Sequence, residues 1–249
     1  MRYTRFGPAG AVCVCLTAVV ATGMVVSLRA ADPMAPTGLA RLKAGNAKFV
    51  ANPAQALPFD AEKRAALVKG QTPFASILTC ADSHVPPEIV FHTGVGDLFV
   101  ARAAGHVADR SVLASLEYAA DHLHVPLLVV MGHEMCSAVK STLDTPVTQS
   151  LGPNLDYVLK AIRPAAMRTA GQTGDGRLRA AILENVEDTI NELMKSSTLL
   201  KHRSESGTLT LVGAYYELAT GRVHFSDVVA IGLSKTQPTH AATSAVTRH

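Results

Sequence analysis

FASILTC, residues 74–80, marks the point where the period of the chain changes. Upstream, LARLKAGNAKFV and DAEKRAALVKG carry helical patterning across a proline-containing connection, and they read as two helices leading into a core. From Phe74 the apolar residues run together instead of recurring every three or four positions. DLFVARAAG (residues 97–105) and VPLLVVMGH (residues 125–133) are runs of the same kind. Short, nearly unbroken apolar runs fit strands buried on both faces of a parallel sheet. Between the second and third runs, residues 109–124 place Val112, Leu113, Leu116, Ala120 and Leu123 on one helical stripe, with Asp109 positioned to cap it. The alternation predicts an α/β fold built on an open, mostly parallel β-sheet flanked by helices.

Beyond CSAVKSTL, a polar connection containing proline and glycine leads to an interrupted helical region over residues 151–167 and a second break over residues 171–176. Residues 178–197 carry Leu178, Ile182, Val186, Ile190 and Leu193 at helical spacing. TLTLVGAYYELATGRVHF then reads as two strands joined around residues 219–221. No internal repeat or long linker divides the chain. Its organisation is one domain over residues 31–232, followed by a polar tail, residues 233–249, of disordered composition.

Residues 1–30 stand apart. Arg2 and Arg5 precede an uncharged stretch from Ala9 to Leu28, and a small-residue cleavage point follows at Ala30. This is the layout of a secretory signal, which places the protein in the periplasm or outside the cell. The apolar stretch approaches the roughly 20 residues that span a bilayer, so an uncleaved membrane anchor is the alternative. The segment contains three of the 23 basic residues and no acid, and its removal leaves 20 bases against 20 acids. A neutral domain with 5% aromatic residues gives no electrostatic case for nucleic-acid binding.

Cys13 and Cys15 lie inside the apolar segment, so a cleaved chain keeps only Cys80 and Cys136. In an exported protein such a pair commonly becomes a disulfide. The surroundings offer a second reading. Cys80 ends the first apolar run, and GHEMC (residues 132–136) follows the third. Sites in open parallel sheets form outside the carboxyl ends of strands, so Cys80, His133 and Cys136 can converge although the first two are 53 residues apart. Two thiolates and an imidazole make a three-ligand zinc set with a fourth position open to water. Asp82, two residues past Cys80, is placed to contact whatever occupies that position.

At these residues the chain resembles the β-class carbonic anhydrases. The resemblance runs through AGNAKFV, GQTPFASILTCADSHVPPEIVF, GVGDLFVARAAGHV, SLEYAADHLHVPLLVVMGHEMCSAVK and LVGAYYELATGRVHF, in the family's order. It implies zinc held by Cys80, His133 and Cys136, and reversible hydration of carbon dioxide to bicarbonate by hydroxide generated at the metal. It also implies a homodimer or a higher multiple of dimers with sites near the dimer interface, and substrate hydrogen bonding by Gln71. Because two thiolates neutralise the ion's charge, the zinc acidifies water less than an all-histidine site does, which favours mildly alkaline conditions. Asp82 then orients the attacking oxygen toward carbon.

Two positions depart from the family pattern. The motif Cys-x-Asp-x-Arg has His84 where its arginine pairs with the aspartate, and Ser137 replaces the glycine that usually follows the second cysteine. Arginine is permanently charged and grips a carboxylate through two bonds; histidine offers one and loses its charge around neutrality. Three roles for His84 follow: an imidazolium standing in for arginine, a neutral ring that lets Asp82 swing onto zinc and close the site, or a residue that carries protons or reshapes the pocket for a related substrate. Hydrolysis of carbonyl sulfide or carbon disulfide, and a closed zinc protein without turnover, are the competing functions. His92, His106, His122 and His124 read as ordinary histidines before proton shuttles, and Asp97 and Arg102 as local structure. GVGDLF precedes a strand instead of opening a helix after one, which excludes a phosphate loop.

Overall fold

The computed structural model describes residues 37–58 and 60–226. The targeting segment, residues 1–30, and the tail, residues 233–249, lie outside the described residues. No helix among the described residues is long and apolar enough to cross a membrane.

Two helices, α1 (Gly38–Ala51) and α2 (Ala61–Leu67), precede β1 (Ala75–Cys80). The short α3 (Pro87–Val90), β2 (Leu98–Ala103), α4 (Arg110–Asp121) and β3 (Leu127–His133) follow. After them come α5 (Ser137–Asp144), α6 (Pro153–Arg168), α7 (Gly174–Ser196), α8 (Thr198–Glu205) and the closing pair β4 (Thr210–Glu217) and β5 (Arg222–Phe225). The strands form one sheet in the order β2-β1-β3-β4-β5. The first four are parallel, and β5 returns antiparallel beside β4.

Every residue of β1 and β3 is buried, which explains why their sequences lack the alternation of a half-exposed strand. Leu78, Leu128, Val130 and Leu211 pack with Val112 and Leu116 of α4 and with Val186, Ile190 and Leu193 of α7. Ile77, Val129, Met131 and Val212 belong to a second cluster with Leu42 of α1 and Phe91. The helix expected at residues 109–124 is α4, and Asp109 Oδ1 accepts from the Val112 N–H at 2.9 Å as its cap.

The chain differs from its sequence reading between β3 and β4. Residues 151–167 are not interrupted, because α6 runs continuously through Pro164. Its buried stripe, Leu159, Ile162, Ala165 and Ala166, holds the helix across the missing donor. The second break is shorter than residues 171–176, since Gly174 and Gly176 both lie in the first turn of α7. Arg163 of α6 donates to the carbonyls of Thr142 and Thr145 at 2.6 and 2.9 Å, satisfying the end of α5. That contact fixes the helix whose other end meets the candidate site.

Candidate metal centre

β1 and β3 are parallel neighbours with Thr79 opposite Met131, so their carboxyl ends lie side by side. Cys80 is the last residue of β1 and His133 the last of β3. After His133 the chain turns through Met135, at a left-handed φ of 57°, and delivers Cys136 as the N-cap of α5. The ligand atoms of Cys80, His133 and Cys136 all lie within 4.8 Å of one another, and all three residues are buried.

The donor set fits zinc on three counts. The sulfurs of Cys80 and Cys136 are 3.8 Å apart and both cysteines are free. A disulfide requires about 2.05 Å. Two thiolates on a tetrahedral zinc at about 2.3 Å each are separated by roughly 3.8 Å. His133 Nδ1 lies 2.9 Å from the Glu134 carbonyl, to which it donates, so Nε2 carries the lone pair. That Nε2 is buried without a hydrogen-bond partner, a costly position that a metal ion relieves. Finally, the hydrogen bond from Cys136 lowers the Cys80 thiol against the opposing effect of burial, assisted by the backbone N–H groups of Asp82 and Gly105. The same contact, with burial and repulsion, pushes Cys136 up.

The backbone N–H groups of Asp82 and Gly105 approach Cys80 Sγ at 3.4 and 3.3 Å. Gly105 sits at φ 59°, where a Cβ would come within 2.5 Å of Ile162 Cδ1. One stripe of α7 holds this turn in place. Asn185 Nδ2 donates to the Gly105 carbonyl at 3.0 Å, while Thr189 Oγ1 lies 3.1 Å from His106 Nδ1. Burial pushes His106 down to about 4, so the ring is neutral near pH 7 and takes a structural place under the site.

Asp82 is close by. Its ligand atoms and those of His84 and His133 lie within 4.8 Å of one another. Oδ1 is 3.2 Å from His84 Nδ1, and Oδ2 accepts from the Ser137 hydroxyl at 2.8 Å. Burial works to raise the Asp82 carboxyl, but the bonds from Ser137 and His84 outweigh it and the net shift is downward. His84 also sets its ring edge-on to His133, with centroids 5.8 Å apart. Arg102 donates from Nε to the Cys80 carbonyl at 2.9 Å and from Nη2 to the Asp82 carbonyl, which pins the loop between them. Asp97 accepts from Lys63 Nζ and from the Gly94 N–H, both at 2.8 Å.

Gln71 is not brought to this cluster. It is exposed before the start of β1, beside Val68, Glu88 and Val95, and the six residues of β1 run from that end to Cys80. At about 3.3 Å per residue the strand spans roughly 20 Å. His92 and His124 are at left-handed φ values of 45° and 53° just past α3 and α4, and His122 stacks on Tyr118 at 4.9 Å. Sequence reasoning missed the contact of Ser137 with Asp82 and the hold of Asn185 on Gly105. Adjacency of Ser137 to Cys136 was the available signal for the first.

A family model described as carbonic anhydrase matches residues 75–223. A carbonic anhydrase of Mycolicibacterium smegmatis is 39% identical over 197 residues, covering 75% of this chain and 93% of that protein. Carbonic anhydrase 2 of Mycobacterium tuberculosis is 40% identical over 187 residues, covering 75% and 90%. Among solved structures, a tetrameric β-carbonic anhydrase of Sordaria macrospora superposes with a TM-score of 0.60 at 26% identity, covering 72% of this chain and 89% of that one. The matched span includes both strand ends that carry the cysteines and the histidine, and the chain belongs to the β-carbonic anhydrase family.

Proposed function

We propose that this carbonic anhydrase hydrates carbon dioxide reversibly to bicarbonate and a proton at a zinc ion held by Cys80, His133 and Cys136. The observation that carries the reading is the buried three-donor cluster with its unpartnered His133 Nε2. When bound, zinc supplies the Lewis acidity that makes water nucleophilic near neutral pH. The two cysteines bind as thiolates, and the N–H groups of Asp82 and Gly105 spread the charge on Cys80. His133 is held in the tautomer that presents Nε2 by its bond to the Glu134 carbonyl. Asp82, kept ionised by Ser137 and His84, accepts a hydrogen bond from the reacting oxygen and turns a lone pair toward carbon.

We also infer that Gln71 serves the site of another protomer, since β1, which begins four residues after it, runs away from it to Cys80. Val68 and Val95, 87% and 51% exposed beside Gln71, support a homodimer or a multiple of dimers joined through this face. The layout of residues 1–30 supports export of the enzyme.

The parent protein is expected to hold about one zinc per chain, by the three-ligand argument, and to hydrate carbon dioxide. Cys80→Ser is expected to lose both. Parallel assays with carbonyl sulfide and carbon disulfide separate hydration from hydrolysis. A metal-free protein with full activity overturns the reading.

A further inference from the structure

The Asp82 carboxylate is gripped at both oxygens. Oδ1 faces His84, 3.2 Å from Nδ1 and 3.4 Å from the backbone N–H. Oδ2 accepts from Ser137 twice, from the hydroxyl at 2.8 Å and from the backbone N–H at 3.4 Å. Ser137 is the first residue of α5, whose N-cap residue Cys136 makes no side-chain capping bond. A carboxylate from 55 residues earlier in the chain takes that place. The first-turn N–H groups of a helix have no partners inside it and attract negative charge, so this end of α5 draws Asp82 toward itself.

That pull has a chemical consequence. Asp82 stands near enough to His133 that a side-chain rotation carries it toward the fourth position of the cluster. A carboxylate there completes a four-ligand protein shell and excludes water. The His84 ring offers Asp82 one hydrogen bond at Oδ1, and the serine hydroxyl supplies the one at Oδ2.

We propose that Ser137 is a positioning residue, whose hydroxyl and N–H hold the Asp82 carboxylate against the start of α5 and keep the fourth position of the cluster open. The inference rests on the zinc reading above. It assigns to the two positions that depart from the family pattern a shared task, one on each oxygen of the same carboxylate.

The test compares zinc-loaded parent, Ser137→Ala and Ser137→Thr by stopped-flow hydration and by the rate at which a chelator removes zinc. Loss of a hydrogen bond to a charged group is expected to lower kcat/KM for Ser137→Ala by about tenfold. Zinc release from that variant slows several-fold, because Asp82 becomes a fourth ligand. Ser137→Thr, which keeps the hydroxyl, restores both readouts to within about twofold of the parent. Thermal melting of all three checks that the fold is intact. Ser137→Ala with parental hydration and parental zinc release overturns this inference alone, as does reduced hydration with unchanged zinc release, or a threonine variant that behaves as alanine does. A parent that binds no zinc overturns the zinc reading and this inference with it.

Discussion

Cys80 and Cys136 are free, buried cysteines whose sulfurs lie 3.8 Å apart, and this proximity defines what the site becomes without metal. The hydrogen bond from Cys136 lowers the Cys80 thiol and so favours its thiolate form. Thiolate attack is what forms and exchanges disulfides. Stripping zinc with a chelator and adding diamide is therefore expected to join the two, with loss of two hydrogens and a mass decrease of about 2 Da. The zinc-loaded protein resists the same treatment because both sulfurs are engaged. Mass spectrometry without reduction reads the outcome; equal oxidation of both forms counts against metal binding by this pair. The convergence of Cys80, His133 and Cys136 was legible in the sequence, since Cys80 and His133 end apolar runs and Cys136 follows three residues after His133. The grip of Ser137 on Asp82 was not, because it joins residues 55 apart and depends on where α5 starts.

At the scale of elements, α7 does the most to shape the site from outside it. Ile182, Asn185, Val186 and Thr189 form one stripe, and they reach Gly132, Gly105 and His106. Gly132 precedes His133 of the proposed metal set, and a Cβ there would lie 2.6 Å from Ile182 Cγ2 and 3.0 Å from Val186 Cγ2. Gly132→Ala must push the helix away from β3. Overpacking of this kind costs about 1–3 kcal/mol, so thermal melting is expected to fall by several degrees. An unchanged melting temperature means that α7 yields without cost. The strands and the long helices α4 and α7 were readable because each has a strong period or a fully buried run. The short α3 was not: it has four residues, too few for a pattern. Pro164 pointed to a break that tertiary packing overrides, and glycines at 174 and 176 pointed to a loop where a helix has already begun.

At the scale of the whole molecule, Gln71 lies four residues before the start of β1 and Cys80 ends that strand. The family resemblance places both among the site residues; the direction of β1 separates them, and the proposal that Gln71 serves another protomer's site unites them. Sedimentation at assay concentrations is accordingly expected to give a dimer or a larger even assembly, and an active monomer contradicts the part given to Gln71. The parallel order of β1 and β3 has the reverse effect, gathering Cys80, His133 and Cys136 from distant points in the chain. The central claim is that this gathering makes a catalytic zinc site. Its most direct test is stopped-flow hydration of carbon dioxide by the parent and Cys80→Ser, with zinc measured in the same samples. The parent is expected to hydrate carbon dioxide while carrying about one zinc per chain, and the variant to lose both zinc and hydration. Full hydration by a Cys80→Ser protein without zinc would contradict that claim.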